Sequence, residues 1–324
     1  MKRLISLLLC ALLIVPALAE DAPDFEPIPW DIKVSPNLPN PDCYLPNNGG
    51  YHDDSIDIQI NVTYWTQDLQ QVDAPGEGTT TVMSARVKLT DVSQFRTGFA
   101  NKYPSKQARH VNDMTKRFNA VMGIDGDYCL YHEQGIVVRN GQTLRMRPHK
   151  GRDELIVDEN GDFHLITCTT QAKWDEYIAG GGTVLHAFCF GPALVVDGVP
   201  LTSLDDVTID NGKAKKAQRM VIGQGGKLEY LILTNEGPES TAPKSVGFDL
   251  VQMANLCVQF GLDNAYNLDG GSSSTIALNN QKINSPSSHK NRKDGDCIWF
   301  ATLEKEETWR EEESVQTVEV EENK

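Results

Sequence analysis

Asp269 is followed by Gly270 and Gly271 and then by four hydroxyl residues, Ser272 to Thr275, between the apolar flanks Tyr266–Leu268 and Ile276–Leu278. Such a segment sets a carboxylate at the end of a buried strand beside backbone bare of Cβ atoms. Successive N–H groups in a turn of that kind form a concavity that suits phosphate or another anion. Ser273, Ser274 and Thr275 can donate hydroxyl hydrogen bonds to a ligand lying there. The same residues also suit an ordinary hairpin, in which Asp-Gly-Gly supplies only the positive φ angles of a tight turn. Ser272 does not read as a nucleophile, because GGSSS is not GxSxG and no His is placed by sequence to activate it.

Further acids stand some 140 positions upstream. Asp125 and Asp127 alternate around Gly126 and project to one side if that piece stays extended. With Asp269 they allow a site for a hard divalent cation such as calcium, although a solvent-facing strand end explains the pair almost as well. Arg219 opens an apolar strand, where a guanidinium can hold phosphate bidentately; with Lys213, Lys215 and Lys216 nearby it also reads as a surface charge. Arg292, on a loop from Asn284 to Asp294, is a second anion contact. His132 is the histidine best placed to serve a pocket as acid or base, whereas His186 lies in an apolar run and reads as core. Tyr128 and Tyr131 offer a sugar-stacking face or a lid on the core.

The elements that must carry these groups follow from periodicity. Ile56, Ile58, Ile60 and Val62 alternate as a half-buried strand, and Thr81 to Leu89 is another, with Asp73–Thr80 as the turn between. Ser105–Arg117 reads as a helix running into a strand from Phe118 to Ile124. Asn140-Gly141 and Asn160-Gly161 mark hairpins in a meander from Gly135 to Leu165. Thr170 caps a helix carrying Trp174 and Ile178, which Gly180-Gly181-Gly182 stops before a strand from Thr183 to Phe190. Asp197-Gly198 and Asn211-Gly212 mark a second meander leading to strands Arg219–Gly223 and Lys227–Leu233. A helix from Phe248 to Phe260 ends at Gly261, and the strand that delivers Asp269 starts at Ala265. With no Pro/Ser-rich linker in the core, the expected fold is α+β: a single domain of mixed β-sheet with a few packed helices.

Residues 1–19 read as a secretory signal: Lys2 and Arg3, an apolar run from Leu4 to Val15, and Ala17-Leu18-Ala19. The run is short of the roughly 20 residues that span a bilayer, so the expectation is a secreted or extracytoplasmic chain with no integral membrane segment. Residues 20–54 form an irregular lead-in, 55–303 the folded body, and 304–324 an acidic disordered tail with nine Glu against two Lys and one Arg. The formal charge of −15 argues against nucleic acid as a partner. Outside the signal, Cys43, Cys129, Cys168, Cys189, Cys257 and Cys297 permit up to three disulfides, and the absence of CxxC, HExxH or paired Cys/His spacing ranks structural zinc below disulfides or buried thiols.

Five blocks in order carry a resemblance. NLDGG with its Ser/Thr run, NAVMGIDGDY (119–128), FCFGPALVVDG (188–198), RMVIGQ (219–224) and SVGFDLVQMANL (245–256) resemble the motifs of the phosphodiester glycosidase family, over about residues 80 to 303. Asp125 stands where the family more often has Asn, and Ser272 where it usually has a third glycine. The resemblance implies an exported glycoside hydrolase that cuts a sugar-1-phosphodiester, such as an N-acetylglucosamine-1-phosphodiester, at the anomeric C–O bond. A carbohydrate or sugar phosphate is then the partner. It implies Asp269, Asp127 and Asp125 as catalytic acids, with Arg219, Gly270, Gly271, Ser273, Ser274, Thr275, Arg292 and His132 binding substrate. Two other readings stay open: a metal-dependent phosphodiesterase, and a non-catalytic carbohydrate-binding envelope protein, which the departures at Asp125 and Ser272 favour.

Overall fold

The computed structural model describes residues 39–205, 215–240, 244–285 and 291–303. The signal at 1–19, the Asn211-Gly212 turn and the tail from 304 lie outside the described residues. The described strands form three sheets, and every pairing is antiparallel. In spatial order the large sheet runs Tyr44–Leu45, Gly50–His52, Ile56–Trp65, Thr80–Leu89, Glu229–Asn235, Arg219–Gly226, Asn264–Asn267, Ala193–Val196 and Val199–Pro200. A second sheet orders Gln281–Lys282, Ile276–Leu278, Met122–Asp125, Asp296–Phe300 and Phe95–Phe99. A third orders Phe163–Ile166, Glu154–Val157, His186–Phe188, Gly135–Arg139 and Gln142–Arg147.

The fold is thus mostly β, and the expected mixed sheet is corrected to antiparallel sheets. The reason lies in the connections. Asn140-Gly141, Asn160-Gly161 and Asp197-Gly198 each reverse the chain in a short turn, with Asn140, Gly141, Gly161, Asp197 and Gly198 all at positive φ. Short turns of this kind join antiparallel neighbours, whereas parallel strands need long crossovers. Two short strands at the margin of the sheet, Tyr44–Leu45 and Gly50–His52, also form inside the stretch expected to be irregular, because Tyr51 pairs with Ile58 and is wholly buried.

The α-helices among the described residues are Val111–Arg117, Gln171–Ala179 and Leu250–Gln259. Thr170 caps the second as its sequence position leads one to expect, accepting from the Lys173 N–H. Asp249 caps the third reciprocally with Gln252, and Leu250, Met253, Ala254, Leu256 and Cys257 bury against Val82, Val195, Val221 and Leu233 on the outer face of the large sheet. The first helix starts later than Ser105 because the main chain of Arg109 is taken: it exchanges hydrogen bonds with Asp294, 3.0 and 2.8 Å. It ends at Arg117 as expected, but Phe118 and Ala120 bond back to Met114 and Thr115 and delay the next strand to Met122–Asp125.

The main core lies where the three sheets meet. Ile58, Val87, Ile222, Ile232 and Tyr266 from the large sheet pack with Ile124, Ile276, Ile298 and Phe300 from the second and Leu155 and Phe188 from the third. Each such fully buried side chain contributes about 1.5–3 kcal/mol. One segment links two sheets: Asn264–Asn267 belongs to the large sheet, Ile276–Leu278 to the second, and Leu268 to Thr275 is the passage between. Asp269 therefore sits where the chain changes sheet, beside the end of Met122–Asp125.

All six described cysteines are free thiols, and Cys129, Cys189, Cys257 and Cys297 are buried. The expectation of disulfides is corrected accordingly: these side chains act as small apolar fillers of the core. No helix among the described residues is long and apolar enough to cross a membrane.

Candidate active site at the sheet junction

Of the glycines after Asp269, the first is required by close approach and the second by its positive φ. A Cβ on Gly270 would stand 2.9 Å from the Gln218 carbonyl oxygen, and Gly271, at φ 61°, donates its N–H to that same oxygen at 2.9 Å. The turn so pinned brings Asp269 against the other acid segment, its N–H donating to the Gly126 carbonyl at 3.2 Å. One carboxylate oxygen of Asp269 accepts from the Gly270 N–H at 2.9 Å, and the other lies 3.7 Å from Arg292 Nη1. Arg292 in turn sits over the Tyr128 ring, 5.0 Å from its centroid, in the geometry of a cation–π contact.

Asp125 is fully buried next to this pair. Its Oδ1 accepts from the Thr275 N–H at 2.7 Å, while its Oδ2 has no hydrogen-bond partner. Buried polar atoms are normally paired, so an orphan points to a group that belongs there. Three such orphans gather on adjoining residues here: Asp125 Oδ2, Asp294 Oδ2 and Ser274 Oγ. Lys282 closes the rear of the cluster, donating to the Ser274 carbonyl at 2.7 Å and to Thr275 Oγ1 at 2.9 Å.

Burial dominates the electrostatics. It pushes Asp125 well above the ordinary carboxylate range, and the charge of Asp294 adds to the rise. Asp294 is driven up to about 7 by burial, with the charge of Asp269 adding to it and the Ser273 hydroxyl and Arg292 opposing. Asp269 is raised by burial against the Ser273 hydroxyl and Arg292. Lys282 is drawn down to about 8 by burial, opposed by Asp125 and Asp294. The outcome is a set of acids that hold their protons more tightly than free carboxylic acids do, Asp294 among them at about 7.

Asp127 takes another direction. The strand ends at Asp125, so the two-residue alternation that predicts a shared side stops there. Asp127 points instead into a closed brace: its Oδ1 accepts from Arg139 Nη2 at 2.8 Å, its Oδ2 from the Cys189 N–H at 2.9 Å. Arg139 Nη2 also reaches Asp296 Oδ2 at 3.2 Å, and the guanidinium lies 4.4 Å from the Phe188 ring centroid. Burial acts against the charge on Asp127, but Arg139 and the Cys189 N–H hold it well below the usual range; Asp296, beside it, is raised to about 8 by burial and by that neighbouring charge. Asp127, Cys129 and Asp296 bring ligand-type atoms within 4.8 Å of one another, yet Arg139 Nη2 is within 2.8, 3.8 and 3.2 Å of them in turn. A guanidinium already serves as the cation of this group. The three-acid cation site read from Asp125, Asp127 and Asp269 is not assembled.

Arg219 and His132 are held elsewhere. The Arg219 guanidinium donates to the carbonyls of Phe248 (3.4 Å) and Lys215 (2.5 Å), faces Asp249, and ties the start of the third helix to its sheet; burial lowers it to about 10. The cation beside Asp269 is Arg292. His132 lies 2.9 Å from the Gln134 carbonyl through Nδ1 and lines a neighbouring cleft; burial lowers its pKa.

Asp294, Asp296, Arg139 and Lys282 escape the sequence reading. A signal for the two acids was present: Asp-Gly-Asp occurs at 125–127 and again at 294–296. The triplets sit at the adjoining ends of two paired antiparallel strands, with Cys297 opposite Asp125. Each triplet divides its acids, Asp125 and Asp294 toward the junction, Asp127 and Asp296 toward Arg139. Gly126 keeps the strands that close, since a Cβ there would stand 2.4 Å from the Asp296 carboxylate.

This arrangement sets the direction of pH dependence. Asp294 and Asp296 have folded values of about 7 and about 8 against an ordinary 3.8, so they favour the fold fully below about pH 4. That contribution is lost as pH rises through the folded values. Chemical denaturation across pH 4 to 9 should therefore show stability declining toward the alkaline end, and an increase through that window would contradict the assignment.

Residues 118–301, more than half of the chain, match the family model described as phosphodiester glycosidase. No curated protein matches the sequence. Among solved structures, the fold is similar to the catalytic domain of zebrafish N-acetylglucosamine-1-phosphodiester alpha-N-acetylglucosaminidase, auto-inhibited by its pro-peptide. The TM-score is 0.61 at 15% identity, covering 78% of this chain and 86% of that one. A hypothetical protein from Synechocystis aligns with TM-score 0.51 at 13% identity, over 77% of this chain and 62% of that one. At such identities the likeness is one of fold.

Proposed function

This chain belongs to the phosphodiester glycosidase family, and from that premise we propose that it is an exported hydrolase that cuts a sugar-1-phosphodiester between the anomeric carbon and the phosphate oxygen. The observation that carries the reading is the pairing of Asp269 with Arg292 at the sheet junction, ringed by buried polar atoms without partners. A glycosyl phosphodiester needs those features. Its leaving group is a phosphate monoester that departs readily, so the site must chiefly hold phosphate and stabilise an oxocarbenium-like carbon.

In this reading Arg292 and the N–H groups of the glycine turn hold the phosphate, with Ser273, Ser274 and Thr275 as neighbouring hydroxyls. The Asp269 carboxylate faces the anomeric carbon and takes a proton from the attacking water, a role that its raised pKa suits. The C–O electron pair leaves with the phosphate oxygen, and the water oxygen becomes the sugar hydroxyl. Asp127 and Asp296 act through Arg139 to fix the segment bearing Asp125, which makes them positioning residues.

Asp125 serves as a neutral donor. Burial favours its protonated form, and in that form, with Oδ1 accepting from Thr275, it offers an O–H where an Asn would offer an amide N–H. This accounts for an acid at a position where the resemblance leads one to expect Asn. Asp125→Asn should retain most of the wild-type rate of sugar release and should lose less of it at alkaline pH than the wild type does. Loss of turnover in Asp125→Asn at every pH would show instead that an ionised carboxylate is required. The reading as a whole is tested by incubating the mature protein with an N-acetylglucosamine-1-phosphodiester and measuring free sugar.

A further inference from the structure

A cleft of about 610 Å³ opens beside the junction, lined in part by Tyr103, Lys106, Tyr131, His132, Arg145 and Arg147. That volume is within the roughly 300–1,000 Å³ of ordinary ligand clefts. It is connected to the acid cluster by an aromatic path: Tyr131 in the cleft wall stacks on Tyr128, centroids 4.6 Å apart and planes at 25°, and Tyr128 lies beneath Arg292. The acid-bearing strand packs against the same wall, because a Cβ on Gly295 would come within 2.6 Å of Leu130 and 3.4 Å of Tyr131. A substrate extending from Arg292 across the Tyr128–Tyr131 face would enter this cleft.

The lining has the opposite sign to the rest of the molecule. In a chain of formal charge −15, the cleft presents Lys106, Arg145 and Arg147 against the single acid Glu133. Arg145 is built in, donating to the carbonyls of Gly135, Cys129, His132 and Gln134 at 3.1, 2.8, 2.6 and 2.8 Å, so its charge is fixed in the wall. Lys106 is exposed and held by its main chain, whose carbonyl accepts from the Tyr131 hydroxyl at 3.2 Å. Arg147 and Glu133, 4.0 Å apart, are 64% and 93% exposed, a pairing that water screens and a ligand can displace. Aromatic rings that stack on sugars, beside a local excess of positive charge, form a surface for an anionic saccharide.

We propose that this cleft binds the substrate beyond the scissile bond, and that the continuing part is a saccharide carrying a second phosphate, so that the chain acts on a sugar-phosphate polymer in preference to a single capped sugar. The inference rests on the reading of the Asp269–Arg292 junction as the phosphodiester site. It is tested by calorimetry on the Asp269→Asn protein with two ligands, a sugar-1-phosphate and an oligomer of two sugar-phosphate repeats. The oligomer should bind at least about tenfold tighter, the equivalent of about 1.4 kcal/mol. Adding Lys106→Glu and Arg147→Glu should erase that advantage, and raised salt should shrink it. Equal affinity for the two ligands, or an advantage that survives the charge reversals, would overturn the cleft assignment. Sugar release by the wild type from a short phosphodiester separates the two ideas: release without any oligomer advantage sinks the cleft alone, and no release sinks the reading of the junction.

Discussion

Asp269→Asn is expected to lower the rate of sugar release from a glycosyl phosphodiester by on the order of 10²- to 10⁴-fold, the range over which a positioned acid or base acts. Asparagine matches the carboxylate in shape and keeps an oxygen for the Gly270 N–H. It removes the charge that faces Arg292 at 3.7 Å and the ability to accept a proton from water. Because Gly270 and Gly271 lie against the Gln218 carbonyl, the turn is held by main chain and should survive the change. The expected signature is a fall in kcat with an unchanged unfolding transition. A variant that turns over at close to the wild-type rate would remove Asp269 from the chemistry.

Arg139→Met is expected to cost about 3–5 kcal/mol of stability, the scale for breaking a buried charge pair by deleting one partner. Arg139 is the cation that Asp127 and Asp296 share, and all three side chains are at most 3% exposed. Methionine fills much of the volume over Phe188 but leaves Asp127 charged, buried and without its guanidinium. Two neighbours then fail together: the segment that carries Asp125, and the strand from Asp296 that pairs with it through Cys297. Adding Asp127→Asn to Arg139→Met should recover part of the loss, because the orphaned charge goes with it. Denaturant titration reads both variants. A cost under about 1 kcal/mol for the single change would mean that the brace does not hold these acids in place.

Local signals that rest on a few consecutive residues were legible in the sequence. Thr170 as a cap, the turns at Asn140-Gly141, Asn160-Gly161 and Asp197-Gly198, and the helix before Gly261 all follow from chemistry within one element. Asp125, Asp269 and Arg292 were likewise marked by their neighbours, and the structure brings these three together. What failed was set at long range. Arg219 begins a strand and looks available, but the carbonyl of Phe248, 29 positions later, takes its guanidinium. Asp127 seems to share a face with Asp125 until the strand ends between them and Arg139 draws it away. Lys282 reaches Ser274 only because two short strands fold back on each other. The late start of the first helix has the same origin, a main-chain pairing of Arg109 with Asp294 that no local pattern reports.

In the proposed reaction water attacks carbon and not phosphorus. Hydrolysis of N-acetylglucosamine-1-phosphodiesters in ¹⁸O-labelled water, with the mass of the released phosphate monoester as the readout, tests it most directly. Cleavage at the anomeric C–O bond predicts free sugar and a phosphate monoester of unlabelled mass. A monoester heavier by one ¹⁸O, or the appearance of sugar-1-phosphate and free alcohol, would place the attack on phosphorus and contradict the account.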